Sequence, residues 1–220
     1  MNKNPRLGEL EMLYTFIKPK KEHIVLDALA GDGFASKPLI GKVASIVALD
    51  SRLPEQLPSN ISYVNRNAED TKFENNYFDI ILAHTGFHHI GNGNHALQEK
   101  ALREFYRILK PSGTLVISDL QGQSSAAKFN DDYVEGHANK CNWITTREIK
   151  RLLEKAQFRD VVATETSIIW KFPTYENLVA FIAKKFRIPE NELLAKLQQY
   201  KLTTSEPAVK LQFWYARGMK

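Results

Sequence analysis

Two glycines two positions apart, Gly31 and Gly33, follow an apolar run that ends in an acid, Asp27, within the stretch VLDALAGDGF. A second apolar run, SIVALD, ends in Asp50, seventeen residues after Gly33. Glycines in the first turn of an open α/β sheet let a ligand approach the backbone where a Cβ would collide. An acid at the tip of the next strand suits the paired hydroxyls of a ribose. The pattern points to an adenosine-bearing cofactor. Charge narrows the choice. Asp27 and Asp32 bracket the loop, Ser36 stands where a dinucleotide fingerprint has its third glycine, and two carboxylates repel a pyrophosphate. They favour a ligand with an ammonium or sulfonium charge, which points to S-adenosylmethionine.

Three histidines, His84, His88 and His89, cluster just after another apolar run. His88 is the candidate to accept a proton from an acceptor hydroxyl, with His84 and His137 as rivals. No nearby carboxylate or thiolate pattern completes a metal site around the three, so none is expected. Aromatic residues that could line an apolar acceptor pocket are Tyr14, Phe87, Tyr133, Trp143 and Tyr175. Tyr14, Phe87, His137, Trp143 and Tyr175 are the expected substrate-binding set.

These groups need a frame. Apolar runs alternate with helix-like patterns, which predicts an α/β fold with a mostly parallel sheet. Strands are expected over 24–27, 45–50, 61–64, 78–83 and 114–119, and later over 160–170 and 209–216. A helix should carry the chain from the glycine loop toward the second strand. Another is clear over 95–109, where Leu97, Ala101, Leu102, Phe105, Ile108 and Leu109 share a face and Lys110-Pro111-Ser112-Gly113 ends it. An earlier helix spans 7–17. Residues 121–142 read as a long polar loop or mobile cover, and 174–200 as two short helices around Ile188-Pro189-Glu190.

With 220 residues, 43% of them hydrophobic, one domain can bury its core. The N-terminus lacks the apolar core of a secretion signal, and no run reaches membrane-spanning length. The lone cysteine, Cys141, leaves no internal disulfide. A cytoplasmic protein without membrane partners is expected. The net charge of +5 is uneven: residues 140–220 hold 15 Lys/Arg against 8 Asp/Glu, or +7, leaving −2 for the rest. That excess suits either a solvated surface or an anionic partner such as RNA.

The stretches VLDALAGDGF, IVALDSR, VNRNAEDTKFENNYFDIILAHTGFHHI and ALREFYRILKPSGTLVISDL resemble the successive motifs of class I S-adenosylmethionine-dependent methyltransferases. The resemblance is to the small-molecule branch that includes ubiquinone/menaquinone-type enzymes, and runs over residues 7–120. LQFWYARGMK is similar to the family's last, antiparallel strand. The resemblance implies a Rossmann-like, doubly wound, seven-stranded and mostly parallel sheet with helical cover insertions. It implies one methyltransferase domain over 1–220, with 1–120 as the cofactor half and 121–145 and 172–205 as substrate covers.

The same resemblance implies the cofactor contacts. Asp27 and the backbone of Ala28, Leu29, Ala30, Gly31 and Gly33 would face the methionine portion, and Asp50 with Ser51 the ribose. Asn67, Ala68 and Glu69 would meet the adenine edge, while Ala83 and His84 would offer backbone carbonyl to the ammonium group. Leu29 departs from the family, standing where its first glycine belongs. The activity implied is in-line methyl transfer to a small-molecule acceptor.

Three other readings compete. Methylation of RNA or protein is the first, and a binding module without catalysis is the second. The third is a short-chain dehydrogenase, since Tyr106 and Lys110 have the Tyr-x-x-x-Lys spacing. Those two sit at a helix end where both side chains should face solvent.

Overall fold

The computed structural model describes residues 4–52, 58–134 and 141–220. Seven strands form one sheet in the order β3-β2-β1-β4-β5-β7-β6. They are β1 (Ile24–Ala28), β2 (Ser45–Asp50), β3 (Ser62–Asn65), β4 (Phe78–His84), β5 (Leu109–Leu120), β6 (Arg159–Lys171) and β7 (Ala208–Met219). β1 through β5 pair in parallel, and β7 runs antiparallel to both neighbours. The central strands β1 and β4 are buried on both faces, which is why they read as unbroken apolar runs rather than alternating ones. The expected strands are all present, several of them longer than predicted.

Helices cover both faces. α1 (Leu7–Tyr14), α3 (Ser125–Tyr133), α5 (Tyr175–Phe186) and α6 (Leu193–Gln199) pack on one core, built on residues such as Leu13, Val25, Leu178 and Phe213. α2 (His95–Ile108) and α4 (Thr146–Lys155) pack on the other, with Leu26, Ile81, Phe105, Leu153 and Trp214. No helix among the described residues is long and apolar enough to cross a membrane.

Three local expectations need correction. The helix expected after the glycine loop is only a 3-10 turn, Lys37–Leu39. Pro38 lies within its three residues and Gly41 at φ +74° follows, so propagation stops. Within the expected loop at 121–142 lies α3, capped by Ser124, whose side chain accepts from the Ala127 N–H, and held by buried Ala126, Ala127 and Phe129. α4 was missed, although Thr145 and Glu148 spell a capping box, with Ile149, Leu152 and Leu153 on the buried face behind it.

Candidate active site

Strand order reverses between β1 and β4, and the carboxyl ends of those strands frame the crevice where open α/β sheets hold ligands. On the β1–β2 side the loop 29–33 rises over the sheet edge. Gly31 and Gly33 sit at φ +52° and +77°, in the left-handed region. A Cβ built on Gly31 meets nothing within 4 Å, so the space beside it is open to a ligand. Asp50 at the tip of β2 accepts from the Gly31 N–H at 2.8 Å and the Arg52 N–H at 2.9 Å. A carboxylate has about four acceptor positions, so two remain for hydroxyl donors.

Asp27, at the end of β1, is held from below. It is buried beneath the loop, and the Ser36 hydroxyl donates to it at 2.5 Å. Burial pushes its carboxyl up to about 7, against the pull of Ser36, with Asp32 and Asp50 adding to the rise. A residue not foreseen, Tyr63 of β3, donates to the Gly31 carbonyl at 2.7 Å and props the loop. Asn67, Ala68 and Glu69 form the turn after β3 at the same sheet edge, where Asp70 N–H closes on the Asn67 carbonyl.

Leu29 holds φ +64°, the conformation a glycine takes freely and a leucine at a cost of about 1–2 kcal/mol. Across the switch point, a Cβ on Gly86 would lie 2.8 Å from the Leu29 Cβ. Glycine has in effect moved from one loop to its neighbour: Leu29 fits because residue 86 has no side chain. Thr85, also left-handed at φ +54°, completes a strained turn at the end of β4.

Beyond that turn a cavity of about 230 Å³ opens between the sheet edge and α1, α3, α5 and α6. Its walls include Thr85, His88, Asp119, Phe129, Trp143 and Lys185. The His88 Nδ1 lies 2.8 Å from both Asp119 carboxylate oxygens, and its backbone N–H donates to the same carboxylate at 3.0 Å. Burial alone would raise the Asp119 pKa, but the His88 charge and hydrogen bonds outweigh it and hold the carboxyl low. Trp143 stacks on the His88 ring, centroids 4.1 Å apart, and donates from Nε1 to Asp131 at 2.7 Å. Lys185 is solvent-exposed as a residue yet lines the cavity, and loss of solvent, then Arg6, bring its ammonium down to about 8.

The sequence-derived candidates divide. His88 and Trp143 reach the cavity. His84 does not: its Nδ1 lies 2.7 Å from the Ser118 hydroxyl and its Nε2 2.8 Å from Glu9, leaving no ring nitrogen for an acceptor. Arg6 closes that buried network with two bonds to Glu9. Phe87 is fully buried in the opposite core, and Ala83 is enclosed between Ala28 and Ile117. Tyr14 donates to the Ala35 carbonyl at 2.5 Å and Tyr175 to the Thr204 carbonyl at 3.2 Å, and neither lines the cavity. His137 lies outside the described residues. Sequence reading missed Glu9, Asp119 and Lys185, which only the fold gathers.

A family model described as "Methyltransferase domain" matches residues 26–117. Over 127 residues the chain is 31% identical to the ubiquinone/menaquinone biosynthesis C-methyltransferase UbiE of Hydrogenovibrio crunogenus, covering 50% of this chain and 48% of that protein. The chain thus spans about half the length of the curated relative it matches. The YcgJ protein from Bacillus subtilis superposes with a TM-score of 0.71 at 16% identity, covering 98% of both chains. The cyclase SpnF superposes at 0.63 and 14% identity, covering 98% of this chain and 80% of its own. At such identities the likeness shows the fold, and one fold hosts several chemistries. The family match adds to this: it runs from within β1 through most of β5, the strands whose tips build the crevice, and supports a class I S-adenosylmethionine-dependent methyltransferase.

Proposed function

We propose that the chain binds S-adenosylmethionine over the loop 29–33 and directs its methyl group to a small-molecule acceptor in the adjoining cavity. One observation carries this reading: the cofactor crevice and the cavity share a wall, the strained turn 85–89 beside Leu29. When bound, S-adenosylmethionine supplies a methyl group already electrophilic on its sulfonium.

The chain's own tasks are then alignment and exclusion of water. Open space at Gly31 admits the backbone-hugging part of the ligand, Asp50 with Ser51 takes the ribose hydroxyls, and the turn 67–69 borders the base. Holding acceptor, carbon and sulfur in line contributes on the order of 7–11 kcal/mol at best. α3, α5 and α6 roof the cavity and keep it dry. Its volume falls below the roughly 300–1,000 Å³ of typical ligand pockets, which favours a small acceptor over a polymer. His88, oriented by Asp119, stands where an acceptor proton would leave. In this reading 1–220 is one domain, with 1–120 the cofactor half and 121–145 and 172–205 the covers.

Calorimetric titration with S-adenosylmethionine and S-adenosylhomocysteine tests the cofactor, and release of S-adenosylhomocysteine across an acceptor panel tests the activity. Binding without release for any small acceptor would leave a cofactor-binding module. No binding of either compound ends the proposal. With an acceptor in hand, undiminished turnover in His88→Ala would remove the base role.

A further inference from the structure

The fold brings Cys141 against two histidines 52 and 53 residues away in sequence. Its Sγ lies 3.9 Å from the His89 Nδ1, and one ligand atom from each of His88, His89 and Cys141 falls within 4.8 Å of the others. In a tetrahedral zinc site, bond lengths near 2.3 Å to sulfur and 2.0–2.1 Å to nitrogen set a sulfur–nitrogen separation of about 3.6 Å. The thiol–imidazole pair is within a few tenths of an ångström of that value.

We propose that His88, His89 and Cys141 form a binding site for a zinc-like divalent cation on the rim of the cavity. The donor set is the soft–borderline mixture zinc prefers, and three such ligands converge among the described residues. His88 already meets a buried carboxylate, Asp119, through Nδ1, the outer arrangement that fixes the ring of a metal-bound histidine. The thiol is placed by buried contacts on the next residue. Asn142 N–H donates to the His88 carbonyl at 2.8 Å, the Asn142 side chain donates to the Ile90 carbonyl at 2.9 Å, and Gln98 bridges the Phe87 and Asn142 carbonyls at 3.0 Å each. His89 is exposed and Cys141 half-buried, which gives an ion a path in, while His88 and His89 both line the cavity. A bound cation and the proton-accepting role are alternative uses of His88, and only the first requires Cys141.

The test uses the purified full chain stripped with a chelator and titrated with cobalt(II), then zinc(II). One cobalt per chain is expected, with tetrahedral visible bands and a thiolate-to-cobalt charge-transfer absorption, displaced by one zinc. Cys141→Ser should lose the charge-transfer absorption, and His89→Ala should lose stoichiometric binding. Asp119→Asn should weaken zinc about ten- to a hundredfold. Zinc should raise the thermal midpoint of the native chain but not of Cys141→Ser, whose metal-free midpoint shows that it folds. Absence of stoichiometric metal in the native chain overturns the site. So does a cobalt spectrum and zinc affinity unchanged by Cys141→Ser, which would mark an adventitious ion only. Neither result bears on cofactor binding, which stands or falls by its own titration.

Discussion

The two sides of the switch point are built differently. On the β1–β3 side the crevice is mostly backbone braced by the Asp50 and Tyr63 side chains, drawn from a few short stretches: 27–36, the tip of β2 and the turn after β3. On the β4–β7 side the cavity is made of side chains from ten or so places between Arg6 and Phe213. The first side tolerates little change in local conformation, because its shape is a set of torsions. The second tolerates change in any one wall, because its shape is a sum of distant contacts. A shared fold can therefore keep one cofactor while its acceptor varies.

On that contrast, the largest effect should come from the buried charges on the cavity side. Glu9 of α1 is fully buried between Arg6 and His84. Removing its charge in Glu9→Gln should cost about 3–5 kcal/mol in chemical denaturation. Burial raises the Glu9 pKa, but His84 and Arg6 outweigh it and bring the carboxyl down to about 2. Its contribution should be complete above the ordinary glutamate range and vanish as pH falls through about 2, so the substitution should flatten that part of the acid unfolding curve.

Next comes the loop itself. Gly31→Arg places a side chain in the open space at a left-handed position, and S-adenosylhomocysteine affinity should fall by roughly a hundredfold or more in calorimetry. Full-strength binding would mean that the crevice lies elsewhere.

A smaller effect concerns Asp27. Its folded pKa, raised to about 7 by burial, means the folded state holds a proton that the unfolded chain releases near 4. The stability this provides is complete below that lower value and is lost as pH rises through about 7. Asp27→Asn should therefore gain on the native chain by about 2 kcal/mol between pH 5 and pH 8, read from urea midpoints. A constant difference across that range would show that Asp27 does not titrate there.

The smallest effect sharpens the view of Leu29. Gly86→Ala should destabilise by about 1–3 kcal/mol, since the new methyl meets Leu29 at 2.8 Å. In a Leu29→Gly background most of that cost should disappear, giving a coupling of about 1 kcal/mol in a double-mutant cycle. Additive effects would mean the two loops adapt independently.

Much of the crevice was legible in the chain, because its determinants are local. Val25–Phe34 carries its own strand and turn, Asp50 ends its own strand, and the departure at Leu29 shows once the stretch is set beside the family it resembles. What made Leu29 tolerable could not, since Gly86 lies 57 positions away. The same limit explains the misplaced residues. Phe87 and His88 are neighbours in sequence, yet successive residues of a tight turn point to opposite sides of the sheet, and only one reaches the cavity. His84 looked as available as His88 until α1 brought Glu9 to its second nitrogen.

The sequence by itself determined the strand count, the glycine turn and the acid at the tip of β2. Each of these follows from periodicity, torsional preference or charge within a dozen residues. Only the tertiary structure decided which histidine faces the cavity, how far Asp27 is withdrawn from water, and that Cys141 lies beside His89. Burial and partnership are properties of the space around a side chain, and in an α/β sheet that space is filled by chain from far away.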